Sequence, residues 1–359
     1  MRNPSTELRI EGKSIGEDFP TYFIADIAAN HDGNLGRAKE LIGLAKEAGA
    51  DAAKFQHFRA GGIVSDVGFR ALGGQQSHQA SWKKSVFEVY QDASVSMDWT
   101  EALKEACDKA GITFFTSPYD FELVDHVDPF VPAYKIGSGD ITWIEIVRHI
   151  ASKGKPYLIA TGASTMDDVS RAVAAGLEIN DQLALLQCNT NYTGSVENMR
   201  YIQLNVLKSY RAMYPKMILG LSDHTPGHAT VLGAIALGAR IIEKHFTDDM
   251  AREGPDHKFS MNPKSWREMV SRTRELEAAL GCGLKQIQPN EIETVVLQRR
   301  AIRAKRPMHT GHLVTVNDLE VLRPCPSGAF PPYRMGEVIG KKTTRDIAIG
   351  EHLGPYDIR

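Results

Sequence analysis

The sequence of 359 residues has few cysteines and no marked excess of charge of either sign. The four cysteines are far apart and form no CxxC pair: Cys107, Cys188, Cys282 and Cys325. A chain of this size builds a core without disulfides, so we expect reduced thiols and a cytoplasmic location. Lysine and arginine number 42 and aspartate and glutamate 44. This balance argues against a protein that coats nucleic acid or an anionic membrane surface.

Long apolar runs and several well-known catalytic motifs are also missing. No stretch approaches the roughly 20 uncharged apolar residues of a membrane helix, and the charged segment 1–16 is unlike a secretory signal. There is no P-loop, strand-linked GxGxxG, GxSxG or HExxH motif. Nucleotide kinase, dinucleotide-binding, esterase and zincin functions therefore have no support. Hydrophobic residues make up 42 % of the chain, which is ordinary for a globular protein.

Short apolar runs alternate with amphipathic stretches of helical length along most of the chain. This alternation is typical of parallel sheets in which a helix follows each strand. The predicted strands span 22–27, 52–56, 113–117, 133–136, 157–161, 183–187, 218–221 and 241–245. The predicted helices span 37–48, 97–110, 121–127, 144–152, 166–176, 199–213, 230–237 and 264–280. The pattern predicts an α/β fold, a (β/α)8 TIM barrel rather than an open sheet.

The strand-then-helix pattern stops after residue 281, where short β-type runs and turn residues begin. We predict a TIM-barrel domain over 1–285, a linker over 286–296 and a small β-rich domain over 297–359. A domain this small is expected to pack against the barrel or another subunit. Its cluster of basic residues at 299–306 is more typical of a solvated face than of a nucleic-acid site.

Polar and charged side chains follow the predicted strands, at the rim where barrel enzymes build their sites. Because side chains alternate along a strand, Lys54 should share a face with Gln56, and Glu243 with His245. Rim carboxylates suited to proton transfer or hydroxyl binding are Asp26, Asp140, Asp223, Glu243 and Asp256. The alternative is that these residues only terminate strands.

Two rim histidines, His224 and His245, follow neighbouring strands and are candidate ligands of a divalent ion such as Mn²⁺. Two histidines are too few for a structural zinc site and would leave positions for substrate oxygens. The alternative is a pair of hydrogen-bonded rim histidines without a metal. His31 is a third candidate, although its Asn-His-Asp-Gly segment is also typical of a plain turn.

Strand-end lysines and nearby hydroxyls form a set suited to binding a phosphate group. The set comprises Lys54, Ser117, Lys135, Ser138, Thr190 and Ser222. The glycines of 136–140 and 160–163 would let backbone N–H groups approach an anion. In a rival hypothesis, Lys54 or Lys135 forms a Schiff base and no metal is needed.

Several short motifs in fixed order carry a resemblance to a known family. They are Asn-His-Asp-Gly (30–33), Lys-Phe-Gln (54–56), Thr-Ser-Pro (116–118), Tyr-Lys-Ile-Gly-Ser-Gly-Asp (134–140), Leu-Ser-Asp-His-Thr (221–225), Ala-Leu-Gly-Ala (236–239), Ile-Glu-Lys-His-Phe (242–246) and Gly-Pro-Asp-His (254–257). Together they resemble the sialic acid synthase family, the nonulosonic acid synthases. Leu-Arg-Pro (322–324), Ile-Gly-Lys-Lys (339–342) and Asp-Ile-Ala-Ile-Gly-Glu (346–351) resemble the antifreeze-like SAF domain of that family.

The resemblance implies that phosphoenolpyruvate condenses with an open-chain N-acylated amino sugar, most simply N-acetylmannosamine, releasing phosphate by C–O cleavage. It implies a divalent metal, commonly Mn²⁺ with Mg²⁺ or Co²⁺ as alternatives, held by His224 and His245, and it adds Asp26 and Glu243 as catalytic residues. Phosphoenolpyruvate contacts carry over to Lys54, Ser117, Lys135, Ser138 and Ser222, with Thr190 replacing the usual donor. Sugar contacts carry over to Gln56, Asp140, Tyr192, Asp256 and Arg323. In the family Arg323 reaches a neighbouring subunit's barrel, which implies a domain-exchanged homodimer.

Some positions depart from the family pattern. Asp26 replaces the usual glutamate, Ala160 replaces a hydroxyl, and the segment 188–194 differs from the usual sequence. These departures leave open a legionaminate-type acceptor with the same chemistry, or a barrel retired to carbohydrate binding. The loop 59–84 is long enough to serve as a lid, and the alternative is a partly ordered insertion.

Overall fold

The computed structural model describes residues 4–73, 79–80 and 82–359. The chain forms two compact units, one ending at Gly281 and the other beginning at Cys282. Residues 286–296, the predicted linker, belong to the second unit, and a helix covers the end of this segment.

Eight parallel strands in the first unit close into a barrel, which confirms the predicted fold class. An antiparallel hairpin that the sequence did not predict precedes them. The hairpin strands are β1 (Leu8–Ile10) and β2 (Lys13–Ile15). The barrel strands are β3 (Tyr22–Asp26), β4 (Ala52–His57), β5 (Thr113–Pro118), β6 (Tyr134–Ile136), β7 (Tyr157–Ala160), β8 (Leu183–Cys188), β9 (Ile218–Asp223) and β10 (Ala239–His245). Strand β10 pairs with β3 and completes the closure.

A helix follows each barrel strand, and the described part of the segment between β4 and β5 contains three further short helices. The helices are α1 (Leu35–Glu47), α2 (Ala60–Ile63), α3 (Asp66–Ala71), α4 (Val86–Ala93), α5 (Thr100–Ala110), α6 (Phe121–Val127), α7 (Ile144–Ser152), α8 (Met166–Leu177), α9 (Val206–Met213), α10 (Ala229–Ala236) and α11 (Pro263–Leu280). Two predicted helices, over 97–110 and 199–213, each begin as a separate 3₁₀ turn. Within the described residues, no helix is both long and apolar enough to cross a membrane.

Two apolar cores hold the barrel. Residues on the outer faces of the strands pack against the helices, with Trp266 of α11 and Phe55 of β4 fully buried there. Inward-facing residues such as Ile24 and Phe115 form a separate core with Leu8, Ile10 and Ile15 of the hairpin. The hairpin thus packs against one end of the barrel interior, and the opposite end, where the strands terminate, is left for the site.

The C-terminal unit has its own small core. Its helices are α12 (Ile292–Gln298) and α13 (Met335–Val338), and its strands β11 (Ala301–Ala304) and β12 (Leu319–Leu322) pair antiparallel. Ile302, Phe330 and Leu353 are among the buried residues that pack together. The predicted β-rich character of this region is confirmed.

Candidate active site

A cavity of about 350 Å³ lies at the carboxyl ends of the barrel strands. Most of the residues predicted from the sequence line it together: Asp26, Lys54, Gln56, Ser117, Lys135, Ser138, Asp140, Tyr192, Ser222, His224, Glu243, His245 and Asp256. The barrel therefore brings together residues that are more than 200 positions apart in the chain.

The alternation of side chains along the strands decides which residues enter the cavity. On β4, Lys54 and Gln56 line the cavity, and Phe55 between them packs in the outer core. On β10, Glu243 and His245 line it, whereas the ammonium of Lys244 lies 2.5 Å from Asp223 Oδ2. Asp223 is therefore a partner of a buried structural lysine, and its candidate role as a site carboxylate is not supported.

Buried ions of opposite sign form the polar centre of the cavity. Lys54 Nζ lies 2.7 Å from Asp26 Oδ2 and 3.9 Å from Glu243 Oε1. Lys135 Nζ lies 2.9 Å from the same Glu243 oxygen, which also accepts a 3.2 Å hydrogen bond from Ser222 Oγ. Gln56 Nε2 donates to Asp26 Oδ2 at 3.0 Å. The two lysines therefore compensate the two carboxylates.

This pairing controls the charge of its members. Burial alone would raise the pKa of Glu243, but Lys135 and Lys54 outweigh burial and lower the pKa to about 2. Burial alone would lower the pKa of Lys54, but Asp26 and Glu243 outweigh burial and raise the pKa of the ammonium. Both groups are consequently ionised near neutral pH.

Several buried polar atoms of the lining residues lack a partner in the described chain. They are Asp26 Oδ1, Ser117 Oγ, Glu243 Oε2 and His245 Nδ1. Because buried polar groups in native proteins are nearly always hydrogen-bonded, such a concentration indicates a site for a polar ligand or for water.

The two histidines lie side by side, with ring centroids 5.3 Å apart. His224 Nδ1 lies 3.0 Å from the carbonyl oxygen of Asn189, so Nδ1 carries the hydrogen and Nε2 keeps a lone pair. Burial lowers the pKa of each histidine to about 3, with smaller contributions from His245 on His224 and from Lys54 on His245. Both rings are therefore neutral, as metal ligands must be.

The donor set fits a metal ion that takes two ligands from the protein and the others from substrate or water. Among the described residues, no group of three or more His, Cys, Asp and Glu side chains forms a metal cluster. Two neutral imidazoles supply two nitrogen ligands, and substrate oxygens or water would have to complete the shell. The residues present therefore fit the predicted ion, whose identity stays a prediction.

Two further carboxyl groups in the lining are buried. Burial raises the pKa of Asp140 to about 6 and that of Asp256 to about 7. Asp256 Oδ2 accepts a 3.1 Å hydrogen bond from the backbone N–H of Ala29 and lies 3.7 Å from His245 Nδ1. Near neutral pH, Asp256 can therefore donate or accept a proton.

Two predicted site residues are not in this lining. The methyl group of Thr190 packs toward Gly162, 2.4 Å from where a Cβ on that glycine would lie. Arg323 belongs to the C-terminal unit, where it is exposed directly after β12. Their assignments to phosphoenolpyruvate and sugar, respectively, stay predictions.

An aromatic wall of the cavity was not predicted. Phe58 lies with its ring centroid 5.3 Å from that of Tyr90 and 5.9 Å from that of Tyr119. The signal in the sequence was weak, because Phe58 and Tyr119 simply follow the polar ends of β4 and β5. Trp82, within the candidate lid 59–84, also lines the cavity, whereas residues 74–78 and 81 of this loop lie outside the described residues.

The chain is similar to known proteins over most of its length. The NeuB family model matches residues 41–285, and the SAF domain model matches residues 299–359. The N,N'-diacetyllegionaminic acid synthase of Legionella pneumophila is 32 % identical over 95 % of both chains. The human N-acetylneuraminate-9-phosphate synthase is 32 % identical over 92 % of this chain and 90 % of its own length.

A solved structure extends the similarity to three dimensions. The N-acetylneuraminic acid synthetase of Leptospira borgpetersenii superimposes with a TM-score of 0.71 at 27 % identity, covering 82 % of this chain and 97 % of that chain. With a family model spanning most of the chain and full-length relatives above 30 % identity, the chain belongs to the NeuB family of enzymes, with a SAF domain at its C-terminal end.

Proposed function

We propose that this enzyme is a nonulosonic acid synthase that condenses phosphoenolpyruvate with an open-chain N-acylated amino sugar and water. The products are a nine-carbon 2-keto sugar acid and phosphate. The observation that carries the proposal is the pair of buried lysines in one cavity with two neutral histidines, together with unpartnered buried carboxylate and hydroxyl oxygens. Burying charges costs free energy, so a barrel that had lost its catalytic function would gain nothing from keeping these charges out of water.

Lys54, Lys135 and the serine hydroxyls are the groups suited to phosphoenolpyruvate. Ser117 Oγ is buried without a partner in the described chain, and Ser138 and Ser222 line the same cavity. Hydroxyl donors and ammonium groups bind phosphate and carboxylate oxygens strongly in a dry site. Bound in this way, phosphoenolpyruvate presents C3 to the acceptor.

His224 and His245 would hold the divalent ion. When bound, the ion supplies a Lewis acid that polarises the sugar aldehyde. Asp256, with its pKa near neutrality, is placed to protonate the aldehyde oxygen as C3 of phosphoenolpyruvate forms the new bond. Asp26 Oδ1, which has no partner in the described chain, is the acceptor for a proton from the water that adds at C2. The C2 hydroxyl then becomes the keto group as the C2–O bond breaks, and phosphate leaves with the bridging oxygen and the hydroxyl proton.

The Schiff-base alternative is less consistent with the site. A lysine must lose its proton to attack a carbonyl, and the neighbouring carboxylates raise the pKa of Lys54. Borohydride with a keto-acid substrate would trap an imine as a stable adduct, so we expect no such adduct on Lys54 or Lys135.

A direct assay would identify the acceptor sugar. Phosphate release from phosphoenolpyruvate is measured with Mn²⁺ against N-acetylmannosamine, the diacetylated six-deoxy acceptor of legionaminate synthesis and no sugar, each with and without EDTA. We expect release only with metal and one of the sugars. With oxygen-18 in the bridging position, the label should appear in phosphate, because the C–O bond breaks.

A matched pair of variants tests the site. His245→Ala should abolish release, and Lys109→Ala, at an exposed position on α5, should not affect it. No release with any of these sugars from folded, metal-loaded protein would contradict the proposed reaction, and label retained in the keto acid would contradict C–O cleavage.

A further inference from the structure

Two loop segments interlock beside the cavity. One is residues 29–33, after β3, and the other is residues 254–257, after β10. The backbone N–H of Ala29 donates to Asp256 Oδ2 at 3.1 Å, and Asp32 Oδ1 accepts from His257 Nε2 at 2.9 Å. Each segment therefore holds the other next to the carboxylate of Asp256.

His257 is fully buried and bonded at both ring nitrogens. Its Nδ1 lies 2.7 Å from Thr247 Oγ1, and its Nε2 lies 2.9 Å from Asp32 Oδ1. A carboxylate only accepts hydrogen bonds, so Nε2 of His257 carries a hydrogen. With both ends fixed, the ring cannot rotate without breaking a buried bond, and the backbone at Asp256 is held with it.

The chain around Asp256 is fixed from other directions as well. A Cβ on Gly254 would lie 2.6 Å from His257 Cδ2, so only glycine lets the imidazole take this place. The hydroxyl of Ser260 donates to the carbonyl oxygen of Asp256 at 2.6 Å and accepts from Asn30 Nδ2 at 2.9 Å. These contacts serve a segment whose regular structure is limited to the 3₁₀ turn His257–Phe259, and its one cavity-lining carboxylate is Asp256.

We propose that His257, held between Thr247 and Asp32, is a positioning residue that aims Asp256 at the acceptor sugar. The inference rests on the proposed function, in which Asp256 contacts that sugar. A displacement of about 1 Å in a reacting group can reduce the rate about 100-fold, so the bonds to His257 are expected to matter although the ring does not line the cavity.

The test compares two amide substitutions in the full-length, metal-loaded enzyme. In His257→Gln the side-chain nitrogen can reach the Nε2 position and keep the bond to Asp32. In His257→Asn the amide ends near the Nδ1 position and loses that bond. We expect His257→Asn to raise the KM for the sugar about 10-fold or more and to lower kcat as well, with the KM for phosphoenolpyruvate unchanged, and His257→Gln to recover most of the loss.

Two more variants complete the design. His149→Asn breaks a His–Asp pair of 2.7 Å on the exposed face of α7, so it should leave both KM values unchanged. Thr247→Val removes the other bond to His257 with little change in volume. If His257→Asn does not fold, the test rests on Thr247→Val. This variant should also raise the KM for the sugar and leave the KM for phosphoenolpyruvate unchanged.

The outcomes separate the two proposals. Wild-type enzyme without turnover would contradict the proposed function itself. If the wild type is active, an unchanged KM for the sugar in the folded variants would overturn the positioning role. The same conclusion would follow if only kcat fell, and fell in proportion to the fraction of unfolded protein.

Discussion

At the scale of single residues, the site depends on buried charges that compensate one another. Glu243 is shared by two ammonium groups, and its other oxygen has no partner in the described chain. Such an arrangement is costly to bury unless every charge is paired, so removing one partner leaves an uncompensated ion. In the proposed reaction the two ammonium groups bind the phosphorylated substrate, which would account for their burial inside the barrel.

Replacing Lys135 by methionine should show this cost. Because Glu243 loses its nearest cation, we expect Lys135→Met to lower the free energy of unfolding by about 3–5 kcal/mol and to abolish phosphate release. The double variant Lys135→Met/Glu243→Gln should regain most of the stability but none of the activity. Denaturant unfolding and the phosphate assay measure the two effects, with Lys109→Met as the exposed control. Equal stability of the single and double variants would contradict the expected coupling.

At the scale of elements, close packing between α8 and β7 positions this part of the barrel wall. A Cβ on Gly176 of α8 would lie 2.3 Å from Tyr157 Oη and 3.1 Å from Cζ of the same ring. Tyr157 is fully buried, and its hydroxyl donates to the Asn180 carbonyl at 3.0 Å. Glycine at 176 therefore allows the helix to approach the strand.

The same substitution should have opposite effects in two helices. Gly176→Ala is expected to destabilise the protein by about 1–3 kcal/mol, because the tyrosine ring must move. Gly43→Ala in α1, where a Cβ meets nothing within 4 Å, should stabilise it by about 0.5–1 kcal/mol through helix propensity. Thermal or denaturant unfolding measures both. A destabilised Gly43→Ala would refute this explanation.

We expect Asp318 to contribute to the acid stability of the C-terminal unit. Burial alone would raise the pKa of Asp318, but hydrogen bonds from His312, from Thr315 and from Arg306 outweigh it and hold the pKa well below its usual range. The ionised form is thus favoured by folding, so its contribution is present above about pH 4 and is lost as the pH falls further.

The expected result is a local loss of protection in acid. After correction for intrinsic rates, hydrogen exchange in β11 and β12 of the wild type should be faster at pH 3 than at pH 6. In Asp318→Asn, exchange at pH 6 should be faster than in the wild type and should change little between pH 6 and pH 3. Mass spectrometry of peptides from the full chain measures the exchange, and Glu105→Gln on α5 is the control. Equal pH sensitivity in Asp318→Asn would assign the effect to other groups.

At the scale of the whole molecule, we propose that the active unit is a domain-exchanged homodimer in which Arg323 completes the site of the partner. Arg323→Ala and His245→Ala homodimers should then both be inactive. A co-expressed mixture should recover activity, because one site of each hybrid dimer combines an intact barrel with an intact arginine. With random pairing the recovery is about one quarter of wild type. A monomeric enzyme, or a mixture without activity, would contradict the exchange.

The amino-acid sequence was sufficient to predict the barrel and most of the residues that line its cavity. Apolar periodicity located all eight barrel strands, because a strand buried on both faces leaves a run that helices and turns interrupt visibly. Lys54 and His245 could be assigned to the cavity from their place at strand ends and the alternation of side chains. The motif resemblance led to the family.

The packing of distant segments sets which of the neighbouring polar residues line the cavity and which pair within the scaffold. Asp223 precedes His224 in the chain, yet it pairs with Lys244 away from the cavity. The contact between Asp32 and His257 joins residues 225 positions apart, and no local sequence pattern predicts it. Local periodicity records the face on which a side chain lies, whereas the partner it meets depends on how distant segments pack, and that information exists only in the folded chain.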